Sequence, residues 1–228
     1  MSLFHPFYAG SHLCAPPANI TGCFKGSYRL IIGLTGGIAS GKSTAAKLLG
    51  TFGAHIIDAD QLGHRAYLQG TDAFDQVVST FGADVVGEDG EIDRAALGDK
   101  VFGAGNRLDE LTAIVWPAIR RMAEEEIATV QATKSNNCIV LEAAVLLEAG
   151  WQDIGDEVWV TVIDREVAIE RATARDGIDR EAVQARIDAQ LSNEERIAAA
   201  NRVIDNSKDE PHLTAQLEHL WQDIRSER

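Results

Sequence analysis

Gly36-Gly37-Ile38-Ala39-Ser40-Gly41-Lys42-Ser43 follows the pattern G-x-x-x-x-G-K-S, with Thr44 next in line. Glycines at these spacings let successive backbone N–H groups turn inward around phosphate oxygens. A lysine at the position of Lys42 reaches the β- and γ-phosphates, and a hydroxyl at the position of Ser43 can ligate Mg²⁺. The chemistry implied is the handling of a nucleotide's phosphates.

Carboxylates and arginines elsewhere complete a set suited to moving a phosphoryl group. Asp58-Ala59-Asp60 closes a second apolar run. A carboxylate there can accept a proton from a substrate hydroxyl. The competing reading for Asp60 is a cap on the helix that follows, worth about 1 kcal/mol. Glu142 ends a third apolar run and is a candidate support for Mg²⁺, directly or through water. Glu148, six residues on, reads equally well as a solvated helix position. Arg171 and Arg175 are spaced i, i+4, so both guanidiniums share one helix face. Arginine's planar fork suits phosphate oxygens. Arg65 is a candidate contact for an anionic substrate. Trp116 can stack on a substrate ring, against the simpler reading of a half-buried core position.

These residues need a scaffold that alternates strands and helices. Arg29–Thr35 reads as a buried strand leading into the glycine loop, and Ser43–Leu49 as the helix behind it. Such a helix start adds its dipole to the amides of the loop. Further strands are expected at Gly53–Asp58, Cys138–Leu141, Glu157–Ile163 and Arg202–Asp205. Helices are expected at 71–81, 93–102, 106–133, 179–190 and 210–226. Trp116-Pro117 is expected to interrupt the long one. Asp176-Gly177-Ile178-Asp179 looks like a hinge, and the charged segment after it like a lid that excludes water. The fold class is therefore α/β, with a mostly parallel five-stranded sheet flanked by helices.

Composition narrows the partners. The 228-residue chain carries a formal net charge of −14, which argues against a protein that coats nucleic acid backbones. No run approaches the roughly 20 apolar residues of a membrane span. Cys14, Cys23 and Cys138 show no C-x-x-C spacing, and a reducing compartment fits them. Residues 1–28 contain no Asp or Glu and hold three of the five prolines, so they read as a flexible extension, with organelle targeting as a lesser alternative. Asp84-Val85-Val86-Gly87 matches a GTPase-like D-x-x-G, but no strand leads into it and no N-K-x-D occurs.

An ordered series of stretches resembles dephospho-coenzyme A kinase. It comprises Ile32 to Thr44, Ile57-Asp58-Ala59-Asp60, Phe81-Gly82-Ala83-Asp84, Asp89-Gly90-Glu91-Ile92-Asp93-Arg94, Leu146-Leu147-Glu148, Arg171 with Arg175, and Ile204-Asp205-Asn206. Asp60 to Tyr67 and Glu142 to Trp151 are similar to the kinase half of eukaryotic-type bifunctional coenzyme A synthase. Where this chain has Glu142-Ala143-Ala144-Val145-Leu146-Leu147, the family's bacterial pattern has Asp-x-Pro-Leu-Leu. Where it has Trp116-Pro117, that pattern has His-Pro.

The resemblance implies a P-loop, nucleoside-kinase-like domain over 29–228, with a helical coenzyme-A-binding insertion at about 61–133 and a lid at about 175–192. It implies cytoplasmic, ATP-dependent phosphorylation of the ribose 3′-hydroxyl of dephospho-coenzyme A, the last step of coenzyme A synthesis. By the same resemblance Gly36, Gly37, Ile38, Ala39, Ser40, Gly41, Lys42, Ser43 and Thr44 bind the ATP phosphates and Mg²⁺. Asp60 serves as base or orienter, Arg175 with Arg171 clamps the transferring phosphoryl, and Asn206 lies close to the adenine. Asp58, Arg65 and Trp116 are the remaining candidates for the acceptor.

Overall fold

The computed structural model describes residues 29–103, 107–133 and 138–226, so the extension at 1–28 lies outside the described residues. Contacts divide the chain in two. Ala59–Glu126 forms one unit. The described residues up to Asp58, together with those from Ile127, form the other.

The second unit holds the sheet. Its strands are β1 (Leu30–Gly36), β2 (His55–Asp58), β3 (Cys138–Glu142), β4 (Glu157–Val162) and β5 (Arg202–Asp205), in the order β2-β3-β1-β4-β5. Every pairing is parallel. The three inner strands, β1, β3 and β4, are buried, near-continuous apolar runs, as a sheet covered on both faces requires, while the edge strands β2 and β5 are only partly buried. The first strand sits in the middle: the chain passes from it to the β2 edge, returns to place β3 in the gap, and then crosses to β4 and β5 on the other side. Ligands of such sheets bind beyond the carboxyl ends of the strands, where that order reverses. The ends of β1, β2 and β3 are tied by register: Leu34 pairs with Glu142, and Glu142 with Asp58.

One face of the sheet is covered by α1 (Lys42–Thr51) and α9 (Glu210–Ser226). Leu30, Ile32 and Leu34 of β1 pack in one cluster with Ala45, Ala46 and Leu49 of α1 and Leu213, Leu217, Trp221 and Ile224 of α9. The α9 residues recur at three- and four-residue spacings, the stripe a covering helix needs. Phe52 and Trp221 meet with ring centroids 6.0 Å apart.

Three helices follow β4 and precede β5 in this unit: α6 (Arg165–Asp176), α7 (Arg180–Asp188) and α8 (Asn193–Ala198). The turn between α6 and α7 is written in its residues. Gly177 closes α6 in the left-handed region at φ 66°, where glycine carries no Cβ penalty. Asp179 caps α7 by accepting from the N–H of Ala182.

The unit Ala59–Glu126 contains α2 (Ala59–Ala66), α3 (Asp72–Phe81), α4 (Arg94–Phe102) and the first part of α5 (Leu108–Thr133). Thr71 and Asp93 cap α3 and α4. Gly87–Gly90 forms the expected turn, closed by a bridge between Val86 and Ile92. Arg107 bonds the Thr80 carbonyl and lies 4.5 Å over the Phe81 ring, tying the start of α5 to α3.

One expectation is corrected. The long helix is not interrupted at Trp116-Pro117: α5 runs on through Pro117. A proline inside a helix removes only the bond to the carbonyl four residues back and bends the axis, and apolar packing along the helix outweighs that loss. Buried Val115, Ala118, Ile119 and Ala123 supply the packing. Asp84 of the rejected D-x-x-G lies in a short 3₁₀ turn, Ala83–Val85, with no strand leading into it.

Leu217 is fully buried at the centre of the β1–α1–α9 cluster. Leu217→Ala is expected to lower unfolding stability by about 2–5 kcal/mol, read from the denaturant midpoint at unchanged slope.

Candidate active site

The glycine loop leaves the carboxyl end of β1, the central strand, and turns directly into α1. Gly41 stands at the N-cap of α1 with φ 85°, so it takes a left-handed conformation that a side chain would strain. Ala39 also has φ 56°, and it is the sole non-glycine with positive φ among the described residues.

Lys42 and Ser43 open α1, and both reach the same carboxylate oxygen. Lys42 Nζ donates to Glu142 Oε1 at 2.7 Å, and Ser43 Oγ donates to it at 2.6 Å. The side chains of Lys42 and Glu142 are only 11% and 8% exposed, so this ion pair is far drier than a surface one. Three residues expected to handle phosphate and metal are thus brought to one point, with Asp58 in register beside Glu142.

Other parts of the same unit fix the loop's shape. The hydroxyls of Ser40 and Thr161 share a buried hydrogen bond of 2.7 Å, and Thr161 Oγ1 also donates to the Thr35 carbonyl. A Cβ on Gly36 would lie 2.1 Å from Thr161 Oγ1 and 2.6 Å from the Thr161 carbonyl oxygen, so only glycine fits there. Asn206, nearly fully buried, donates from Nδ2 to the Ser40 carbonyl at 2.9 Å. The N–H of Ile38 donates to Gln190 Oε1 at 3.0 Å.

Other candidates have partners of their own within this unit. Asn206 uses its side-chain amide on the phosphate loop itself. Arg171 donates to the carbonyls of Asn206 and Lys208, at 3.0 and 2.8 Å, and so anchors the turn after β5. Arg175 forms a two-pronged pair with its neighbour Asp176. Glu148 accepts from Arg196 Nη2 at 2.7 Å, and Arg196 is fully buried. Asp205, beside Asn206, has its carboxyl held below the ordinary range, chiefly by the Ser207 hydroxyl and then by the Ser207 N–H.

Asp60, Arg65 and Trp116 belong to the unit Ala59–Glu126. The strand β2 stops at Asp58, so Asp60 is not a strand residue. It is half-buried in the first turn of α2, where the helix dipole favours a carboxylate. Arg65 is exposed in the last turn of α2, and Trp116 is half-buried on α5. Sequence reading missed Thr161 and Gln190. A threonine inside a buried strand was a usable signal; an isolated glutamine after a helix offered none.

A glycine loop on the central strand of a parallel sheet, with its lysine and serine gathered on a carboxylate of the neighbouring strand, defines a P-loop kinase. The family model for dephospho-CoA kinase matches residues 30–211. A dephospho-CoA kinase of Geobacter sulfurreducens is 44% identical over 191 residues, covering 84% of this chain and 96% of that protein. The chain belongs to the dephospho-CoA kinase family. Among solved structures, the Thermus thermophilus protein TT1252 superposes with a TM-score of 0.71 at 33% identity, over 86% of this chain and 98% of that one. A dephospho-CoA kinase from Campylobacter jejuni gives 0.65 at 25% identity, over 86% and 97%.

A Cβ on Gly41 would meet Asn206 Nδ2 at 2.0 Å. Gly41→Ala therefore adds left-handed strain and expels the Asn206 amide from the loop. It is expected to destabilise the fold by about 1 kcal/mol or more and to weaken nucleotide binding at least about tenfold, read by thermal unfolding and by ATP titration.

Proposed function

We propose that the chain transfers the terminal phosphoryl group of ATP to the ribose 3′-hydroxyl of dephospho-coenzyme A, giving coenzyme A and ADP in the cytoplasm. The observation that carries this reading is the convergence of Lys42 and Ser43 on Glu142, at the mouth of a glycine loop, in a chain of this family.

The residues fit Mg²⁺. Ser43 Oγ and Glu142 Oε1 are hard oxygen donors 2.6 Å apart, and this metal is usually held by one or two protein oxygens together with substrate phosphates. Bound there, Mg²⁺ supplies charge neutralisation between the β- and γ-phosphates. Ser43 and Glu142 would hold it, Glu142 directly or through water.

The chain's own groups do the rest. N–H groups of the loop from Gly36 to Thr44, other than those of Ile38 and Ser40, which bond Gln190 and the Gly37 carbonyl, receive the phosphate oxygens, with the start of α1 behind them. Lys42 neutralises charge on the β- and γ-phosphates. The 3′-oxygen attacks the γ-phosphorus, the bond to the ADP oxygen breaks, and Asp60 takes the hydroxyl proton. Arg175 steadies the equatorial oxygens of the transferring group, with Arg171 in support. The acceptor is assigned to Asp58, Arg65, Trp116 and the helical insertion at about 61–133, and the lid to about 175–192. Phosphoryl transfer asks mainly for such placement and for cations around the oxygens.

Release of ADP, followed with dephospho-coenzyme A, with nucleosides and with no acceptor, tests the reading. Turnover confined to dephospho-coenzyme A supports it, and equal turnover on nucleosides overturns it. Lys42→Ala and Asp60→Asn are each expected to cut turnover at least about 100-fold. Near-normal turnover in a folded Asp60→Asn variant would leave Asp60 as a helix-start carboxylate only. Glu142→Ala is expected to raise the Mg²⁺ concentration needed for ATP binding by about 10–100-fold, seen in a metal titration at fixed ATP.

A further inference from the structure

Gln190 lies just beyond α7, yet its side chain reaches the phosphate loop. Its Oε1 accepts the Ile38 N–H at 3.0 Å and lies 3.6 Å from where a Cβ on Gly37 would stand. The same loop tip makes apolar contacts. Ile38 and Ala39 pack against buried Ile169 and Ala172 of α6 and Val183 of α7, alongside Ile178 and Ile187. Between these two attachments sits Ala39, held at φ 56°. An alanine there is strained by about 1–2 kcal/mol and persists only where its surroundings fix it.

We propose that Gln190 is a positioning residue for nucleotide binding: its amide oxygen pins the Ile38 N–H and, with the α6–α7 cluster, holds the strained loop tip in its phosphate-receiving shape. The physical logic is preorganisation. A loop whose remaining N–H groups must aim inward binds anions well only if it does not have to be ordered at the moment of binding. Ile38 N–H is one donor of the loop tip, and turning it onto Gln190 commits the peptide plane between Gly37 and Ile38. The next plane, between Ile38 and Ala39, is held separately, by the packing of Ile38 and Ala39 on the α6–α7 cluster. Gln190 has no need to touch the nucleotide for this; it acts through the loop.

The proposal rests on the reading of Gly36–Thr44 as the ATP site, and its test is chosen to be separable from the choice of acceptor. The probe is ATP with Mg²⁺, titrated directly onto the full chain with no acceptor present. Gln190→Leu keeps the bulk and removes the acceptor oxygen, and Gln190→Ala guards against a folding failure of the first variant. Either is expected to weaken ATP binding at least about tenfold, the scale of one lost positioning bond, while the thermal midpoint stays near wild type. In turnover, KM for ATP should rise while KM for dephospho-coenzyme A stays within about twofold. Adding Ala39→Gly to Gln190→Leu removes the strain at φ 56° and is expected to recover part of the lost affinity.

Unchanged ATP affinity in folded Gln190→Leu and Gln190→Ala would overturn the proposal. So would an equal loss for ATP and for the acceptor, or no recovery on adding Ala39→Gly. A wild-type protein that binds ATP but leaves dephospho-coenzyme A unphosphorylated would sink the substrate assignment alone, and the Gln190 comparison would still be read from binding.

Discussion

The contact on which the site depends is the one between Glu142 and the first two residues of α1. A nearly buried ammonium and a nearly buried carboxylate are tolerated only if they meet with good geometry, because desolvating either alone costs several kcal/mol. That meeting demands that β3 lie beside β1 with its last residue, Glu142, opposite Leu34, two residues before the end of β1. A slip of one residue would turn Glu142 to the opposite face of the sheet and strand Lys42. The electrostatics of three side chains thus constrain strand order and register through the middle of the fold.

The glycine loop is not self-supporting. Its interior is tied to β4 through Thr161, to the turn after β5 through Asn206, and to the segment after α7 through Gln190. Each tie takes a carbonyl, hydroxyl or N–H that a free loop would leave to water. Together they fix a backbone containing two left-handed residues, Ala39 and Gly41, only one of which is glycine. Arg171 extends the scheme by one step, holding the carbonyls of Asn206 and Lys208 so that Asn206 stays in place.

How much of this the sequence disclosed follows from the range of each signal. Glycine spacing, apolar runs and caps act over a few residues, so the loop, the five strands and the turn between α6 and α7 were readable. Glu142 was readable too, since a carboxylate ending a buried strand stands out. The ties of the loop span 121, 152 and 166 residues and use ordinary polar side chains; a threonine in a buried strand hints at a polar role for Thr161 but does not name its partner, and nothing local marks Gln190. Pro117 misled for the converse reason. Its penalty is local and was visible, whereas the buried positions of α5 that override it lie on both sides and act through packing.

The two arginines of α6 separate on the same reasoning, although sequence spacing made them look equivalent. Arg171 donates to two main-chain carbonyls that belong to the loop's supporting turn, so withdrawing it would uncover both and loosen Asn206. Arg175 is joined to the adjacent Asp176 in a part-exposed pair. Its two prongs and the low exposure of Asp176 make it firmer than a typical surface pair. That pair stays within the last turn of α6, beside Gly177, whose left-handed conformation ends the helix. Position on one helix face therefore yields two kinds of arginine: one bound into the scaffold of the phosphate loop, and one paired with its own neighbour at the helix end.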